Sequence, residues 1–123
     1  MATGVDDAER FFAGHELALA VFGAVYDIVR QGGPTEVRVS TSQVALRRRH
    51  GFAYLWLPGQ YLAHPGADVV LSIALGREVS SPRFKAVAHP ARTQWMHHLE
   101  IHDLAEVDAE VAVWLREAAA RAE

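Results

Sequence analysis

Two short stretches hold the residue types that could do chemistry. The first is Trp95–His102, WMHHLEIH. On a strand, alternation puts Trp95, His97, Leu99 and Ile101 on one face and Met96, His98, Glu100 and His102 on the other. His98, Glu100 and His102 are ligand types that zinc and other divalent ions accept, and three ligands beside an open position would suit metal-assisted hydrolysis. The spacing argues against that use. Residues two apart on a strand lie about 7 Å apart, so one strand supplies three ligands only if it bends. A solvated strand face has the same pattern. His97, among aromatic and aliphatic neighbours, reads as a hydrogen-bonded core or pocket-wall histidine rather than a base.

The second stretch is Arg47–His50, RRRH, followed by Gly51 and the apolar run Phe52–Leu57. Guanidinium forks match phosphate and carboxylate, and a set of Phe, Tyr and Trp on a sheet can stack bases. Arg47, Arg49, His50, Tyr54 and His97 are therefore the candidate ligand-binding residues. Alternation sends Arg47 and Arg49 to one face and Arg48 to the other, so the run is also what a solvated hairpin tip looks like. No Gly-rich phosphate loop, serine nucleophile elbow or metalloprotease helix motif is present. Ser72 falls inside a strand, and Ser80 and Ser81 suit a turn. No catalytic residue is assigned and no cofactor is expected.

The elements that must position these residues follow from periodicity. Asp6–Ala13 predicts a short helical turn capped by Asp6 or Asp7, with Phe11 and Phe12 inward, and Gly14 interrupts it. From His15, Leu17, Val21, Ala24, Val25 and Ile28 recur on one helical face. Gln31-Gly32-Gly33-Pro34 ends that helix, because proline cannot continue it. Period two then takes over in TEVRVS and QVALRR, two strands with a turn at Thr41-Ser42.

Phe52–Leu57 alternates with apolar residues on both sides, Phe52, Tyr54 and Trp56 against Ala53, Leu55 and Leu57. That predicts a central strand covered on both faces. Asp68–Leu75 is another apolar strand. Ser81-Pro82 resembles an N-cap with proline at the first helical position, predicting one turn of helix near Phe84. His89–Thr93 shows no clear pattern, and Trp95–Ile101 is the last strand. Asp103 with Glu106 forms a capping-box pattern for a C-terminal helix with a stripe of Val107, Val111, Trp114, Leu115 and Ala118, while Asp108 is a rival cap. Helices at both ends and four to five mostly hairpin-connected strands between them predict a single α+β domain spanning residues 1–123. Its antiparallel sheet would carry the helices on one face.

Composition bounds the function further. A chain of 123 residues, half apolar and 22% charged, fits one globular domain with a substantial core. There is no cysteine, which excludes disulfides, thiolate metal sites and a cysteine nucleophile. The first residues are acidic where a signal peptide is basic and then apolar, and no run approaches the ~20 apolar residues of a membrane span. A cytoplasmic protein with no membrane partner is the expectation. The net charge of −3 is unevenly spread: residues 30–95 carry nine Arg or Lys against three acids, whereas residues 1–29 and 96–123 are acidic. A basic middle can steer anions or acidic partners.

The stretches FFAGHELALAVFGAV, SQVALRRRHGFAYLWLPG, SPRFK, WMHHLEIHD and DAEVAVWLREA together resemble a bacterial domain of unknown function, the DUF5655 type. Some of its relatives carry the label "predicted transport protein", and some are joined to nuclease-like domains. The resemblance runs from about Phe11 to Ala119 and implies a compact α+β domain with no established activity, cofactor or catalytic residue. Positions matching its strongest patterns are Phe12, Gly14, Arg47, Gly51, Phe52, Ala53, Pro82, Phe84, His97 and His98. One departure is visible: the family often ends its last helix with an Ala-Tyr pair, and here Ala118 is followed by Ala119.

The leading expectation is a non-enzymatic binding or accessory module whose basic sheet side meets an anionic ligand, nucleic acid or an acidic protein. The alternative is a small metal-assisted or histidine-dependent hydrolase using the Trp95–His102 strand. Self-association through the aromatic face of Phe52, Tyr54 and Trp56, giving a homo-oligomer, is the third.

Overall fold

The computed structural model describes residues 4–123. Helices α1 (Gly4–Phe11) and α2 (Glu16–Arg30) lead into strands β1 (Glu36–Val39), β2 (Val44–Arg47), β3 (Gly51–Trp56) and β4 (Val69–Leu75). Strands β5 (Ala86–Ala91) and β6 (Gln94–Ile101) and helix α3 (Ala109–Arg121) complete the chain. The six strands form one antiparallel sheet in the order β1-β2-β3-β4-β6-β5. The class is α+β as expected, with one strand more than the upper bound. The extra strand is β5, exposed along its whole length and carrying Pro90. An edge strand without a buried face shows no apolar alternation.

Register assigns the two faces. Val37, Leu46, Ala53, Ile73 and His97 form one row across the sheet, and Val39, Val44, Leu55, Leu71 and Leu99 the next. These rows join Phe12, Val21, Phe22, Val25, Val29, Val111, Trp114 and Leu115 in one core, so all three helices lie on this face. The opposite face carries Arg38, Ala45, Tyr54, Ser72 and His98 in a row, with Trp56, Val70 and Glu100 beside it. Among the described residues no α-helix covers it; the β3–β4 connection folds back over part of it through Tyr61.

A β-bulge corrects the expected faces of β3. Leu46 pairs with Ala53 and Arg47 with Gly51, which leaves Phe52 as an extra residue. A bulge turns two consecutive side chains toward one side. Phe52 and Ala53 both enter the core, and only Tyr54 and Trp56 remain on the open face. The expectation of a strand covered by other elements on both sides is corrected accordingly.

Three local features complete the frame. Gly14, at φ 84°, takes the left-handed conformation that lets α1 turn sharply into α2. The stretch near Phe84 is a turn, not a helix: Ser81 Oγ accepts from the Arg83 amide and Ser81 O from the Phe84 amide. Asp103 and Asp108 both act as caps. Asp103 caps a short 3-10 turn at Leu104–Glu106 by accepting from the Ala105 amide, and Asp108 caps α3 by accepting from the Val111 amide.

Candidate functional site

The uneven charge is consumed largely within the fold. Arg48 pairs with Glu123 at 2.6 Å, Arg77 with Glu117 at 3.0 Å, and Arg83 with Asp108 and Glu110 at 3.1 and 2.8 Å. The basic middle of the chain is thus tied to the acidic last helix. Arg48, whose side chain is only 9% exposed, also donates to Val29 O at the end of α2. Arg83 further donates to Glu106 O and lies over the Trp114 ring. These arginines are fasteners.

Arg47 and Arg48 separate as alternation requires. Arg47 faces the open side and ion-pairs with Glu36 at 3.4 Å. Arg49 and His50 are exposed at the β2–β3 turn, and their amides donate to Ala122 O at the end of α3. His97 is fully buried on the helix face. Its Nε2 accepts from the Val79 amide at 3.0 Å, its Nδ1 lies 3.4 Å from Ile73 O, and its ring packs on Phe84, which in turn packs on Trp114. Five candidate ligand-binding residues therefore fall in three places: Arg47 with Tyr54 on the open face, Arg49 with His50 at the turn, and His97 in the core. Above Gly51, a β-carbon would lie 2.3 Å from the Tyr54 hydroxyl and 3.4 Å from Arg47 Nη1. Only glycine leaves room for that approach.

The metal candidates are dispersed. His98 is engaged with Ser72, Glu100 with Lys85 at 3.0 Å, and His102 is exposed at the strand's end. Among the described residues no group of three or more His, Cys, Asp or Glu is placed to hold a metal ion. The side chains stay apart along β6, as the strand spacing implies.

What the open face does contain is a groove of about 390 Å³ lined by Ser42, Gln43, Tyr54, Trp56, Tyr61, Ser72, Met96 and His98. It lies between β3 and β6, above β4. Tyr61, from the β3–β4 connection, meets Trp56 at 6.4 Å between ring centroids, and Trp56 meets His98 edge-on at 6.4 Å. Trp56 Nε1–H donates to Ser72 Oγ at 3.0 Å, and Ser72 Oγ lies 2.7 Å from His98 Nδ1. Burial, and secondarily the neighbouring His97, holds the His98 pKa below its ordinary value.

A family model described as "Domain of unknown function (DUF5655)" matches residues 8–119. The chain belongs to the DUF5655 family. No curated protein and no solved structure matches it. Several positions that carry the family resemblance have plain structural duties in this DUF5655 domain: Phe12 is fully buried, Gly14 breaks the first two helices apart, and Phe84 bridges His97 and Trp114. His98 differs, because its ring lines the groove. Ala119, where the family often has tyrosine, is buried in the core.

Sequence reasoning named Tyr54 and His98 but missed Ser72, Trp56 and Tyr61 as one constellation. Pairing of β4 with β6 skips β5, and a nonconsecutive neighbour leaves no local signal. The retrievable clue was Ser72 itself, a polar residue at the centre of an otherwise apolar strand.

Proposed function

We propose that this DUF5655 domain is a non-enzymatic binding module that works through the helix-free face of its sheet. The observation that carries this reading is the aromatic groove around Trp56. Concave, largely apolar sites with a few placed polar groups are the usual form of a small-ligand site. No lining side chain is an Arg, Lys, Asp or Glu, and the rings of Tyr54, Trp56 and Tyr61 are there to stack, so the lining suits a flat, uncharged ring. Arg47 and Arg38 lie on the same face, beyond Tyr54; both pair with the one carboxylate of Glu36, and the positive charge left over would meet an anionic part of the same ligand. A nucleotide, free or in a single strand, combines these two features. The acidic-protein form is less well supported, since Arg48, Arg77 and Arg83 are already paired. A chain without cysteine suits a reducing cytoplasm, and no helix among the described residues is long and apolar enough to cross a membrane.

Titration with nucleoside monophosphates and a short single-stranded oligonucleotide tests this reading. The Trp56 indole N–H resonance is expected to shift, and affinity to fall as salt rises, because phosphate contacts release counterions. An unmoved Trp56 resonance at millimolar ligand would remove the groove as the site.

One observation favours a second reading. The 2.7 Å contact between Ser72 and His98 pairs a hydroxyl with a base, as histidine-dependent hydrolysis requires. Against it, Ser72 is only 3% exposed and its oxygen already accepts from Trp56. Covalent labelling of Ser72 by a fluorophosphonate, lost in His98→Ala, would support the hydrolase; unlabelled protein would dismiss it.

A further inference from the structure

We propose that Trp56 and Ser72 fix His98 as the Nε2–H tautomer, making that N–H the donor with which the groove selects planar ligands bearing an in-plane hydrogen-bond acceptor. The proposal rests on the groove being the binding site. It starts from the chemistry of an indole nitrogen, which can only donate. Trp56 Nε1–H is directed at Ser72 Oγ, so one lone pair of that oxygen is occupied. The Ser72 side chain is 3% exposed, and His98 Nδ1 at 2.7 Å is the acceptor in reach of its hydroxyl proton. A proton on Nδ1 would leave the serine hydroxyl without an acceptor in a buried position, which is costly. Nδ1 therefore carries a lone pair, and in the neutral ring the proton sits on Nε2.

Geometry then gives that proton its role. Among the described residues Nε2 has no partner, and the ring lines the groove beside Trp56, Tyr54 and Met96. Ser72 and Met96 lie one row apart on neighbouring strands, and Tyr54 and His98 flank Ser72 in the same row. A ring held against Trp56 thus reaches one directed donor at its edge. The groups that satisfy it are a pyridine-type nitrogen or a ring carbonyl; a pyrrole-type N–H is refused, since two donors would face each other. In this arrangement His98 is the specificity-determining residue. Ser72 acts through it as a positioning residue.

The test has two arms. Long-range proton–nitrogen correlation on the wild-type protein near pH 7.5 is expected to show His98 as the Nε2–H tautomer, becoming a tautomer mixture in Ser72→Ala and returning in Ser72→Thr. A wild-type Nδ1–H tautomer would overturn the proposal. The second arm compares quinoline with indole, fused planar heterocycles of opposite ring hydrogen-bonding sense that carry no other polar group. The quinoline should bind about tenfold more tightly, as expected for one net hydrogen bond at a partly exposed site, with the preference lost in His98→Phe and reduced in Ser72→Ala. Equal affinities for the two, with both shifting the Trp56 indole resonance, would overturn the selection alone. If neither shifts that resonance, the groove itself is not the site, and this proposal falls with it.

Discussion

His97 and His98 are consecutive residues on β6, and the sheet sends them to opposite fates. His97 enters the helix-covered face, where both ring nitrogens are met by main-chain groups of Val79 and Ile73 and the ring is sealed by Phe84. His98 enters the open face, where Ser72 occupies one nitrogen and the ring lines a groove. The same contrast holds one strand over, where Ile73 is fully buried opposite His97 and Ser72 stands opposite His98. Two residues of one type, one peptide bond apart, thus come to a packed core and to an open groove. Residue type alone says little about a histidine's duty; the face decides it.

Substitutions can break this contrast, starting with the covered face. Ile73→Ala should cost about 3–4 kcal/mol in chemical denaturation, since a fully buried aliphatic chain leaves a cavity. His97→Ala should cost about 3 kcal/mol, from lost packing and an orphaned Val79 amide. His98→Ala and Ser72→Ala should each cost about 1–2 kcal/mol, because each leaves one polar partner of the Trp56–Ser72–His98 chain unsatisfied. If His98→Ala proved as damaging as His97→Ala, the open face would be part of the core and the division would be wrong.

Two smaller effects sharpen it. Asp108→Ala should cost about 1 kcal/mol by removing the α3 cap, and it also removes a partner of Arg83. The Asp108 pKa is held down by the Val111 amide first and Arg83 second. The His98 pKa is lowered in the fold, so the unfolded chain binds the extra proton more readily. Its contribution is complete above the ordinary value near 6.5 and declines as pH falls from there toward the folded pKa. Denaturation midpoints between pH 7.5 and 5 should therefore fall in wild type, and less steeply in His98→Asn. Arg49→Ala, at the exposed turn, should change stability by about 0.5 kcal/mol or less.

The fold was legible wherever one face is buried and the other is not. Val37 and Val39, Val44 and Leu46, and the run from Val69 to Leu75 announced their strands through period or apolarity. The bulge at Phe52 was not legible, because one extra residue leaves the local pattern apolar and only pairing with Arg47 and Leu46 reveals it. β5 was missed since Ala86–Ala91 buries nothing and includes Pro90. Of the site, Tyr54 and His98 could be named individually from type and position. Their meeting over Ser72 depends on β4 lying between β3 and β6, which no nearby residue encodes. The arginines misled for a related reason: Arg48, Arg77 and Arg83 find their carboxylates 75, 40 and 25 residues away along the chain.

The pair of amides at Arg49 and His50 that donate to Ala122 O links the β2–β3 turn to the last turn of α3. Helix ends fray on a fast timescale and exchange amide protons readily. Each time the end of α3 unwinds, the turn loses that acceptor as well, which couples the opening of two segments more than seventy positions apart. Hydrogen exchange at Arg49 and His50 would then run at the rate set by the helix end, and deuterium uptake at that turn becomes a clock for motion at the far end of the sequence.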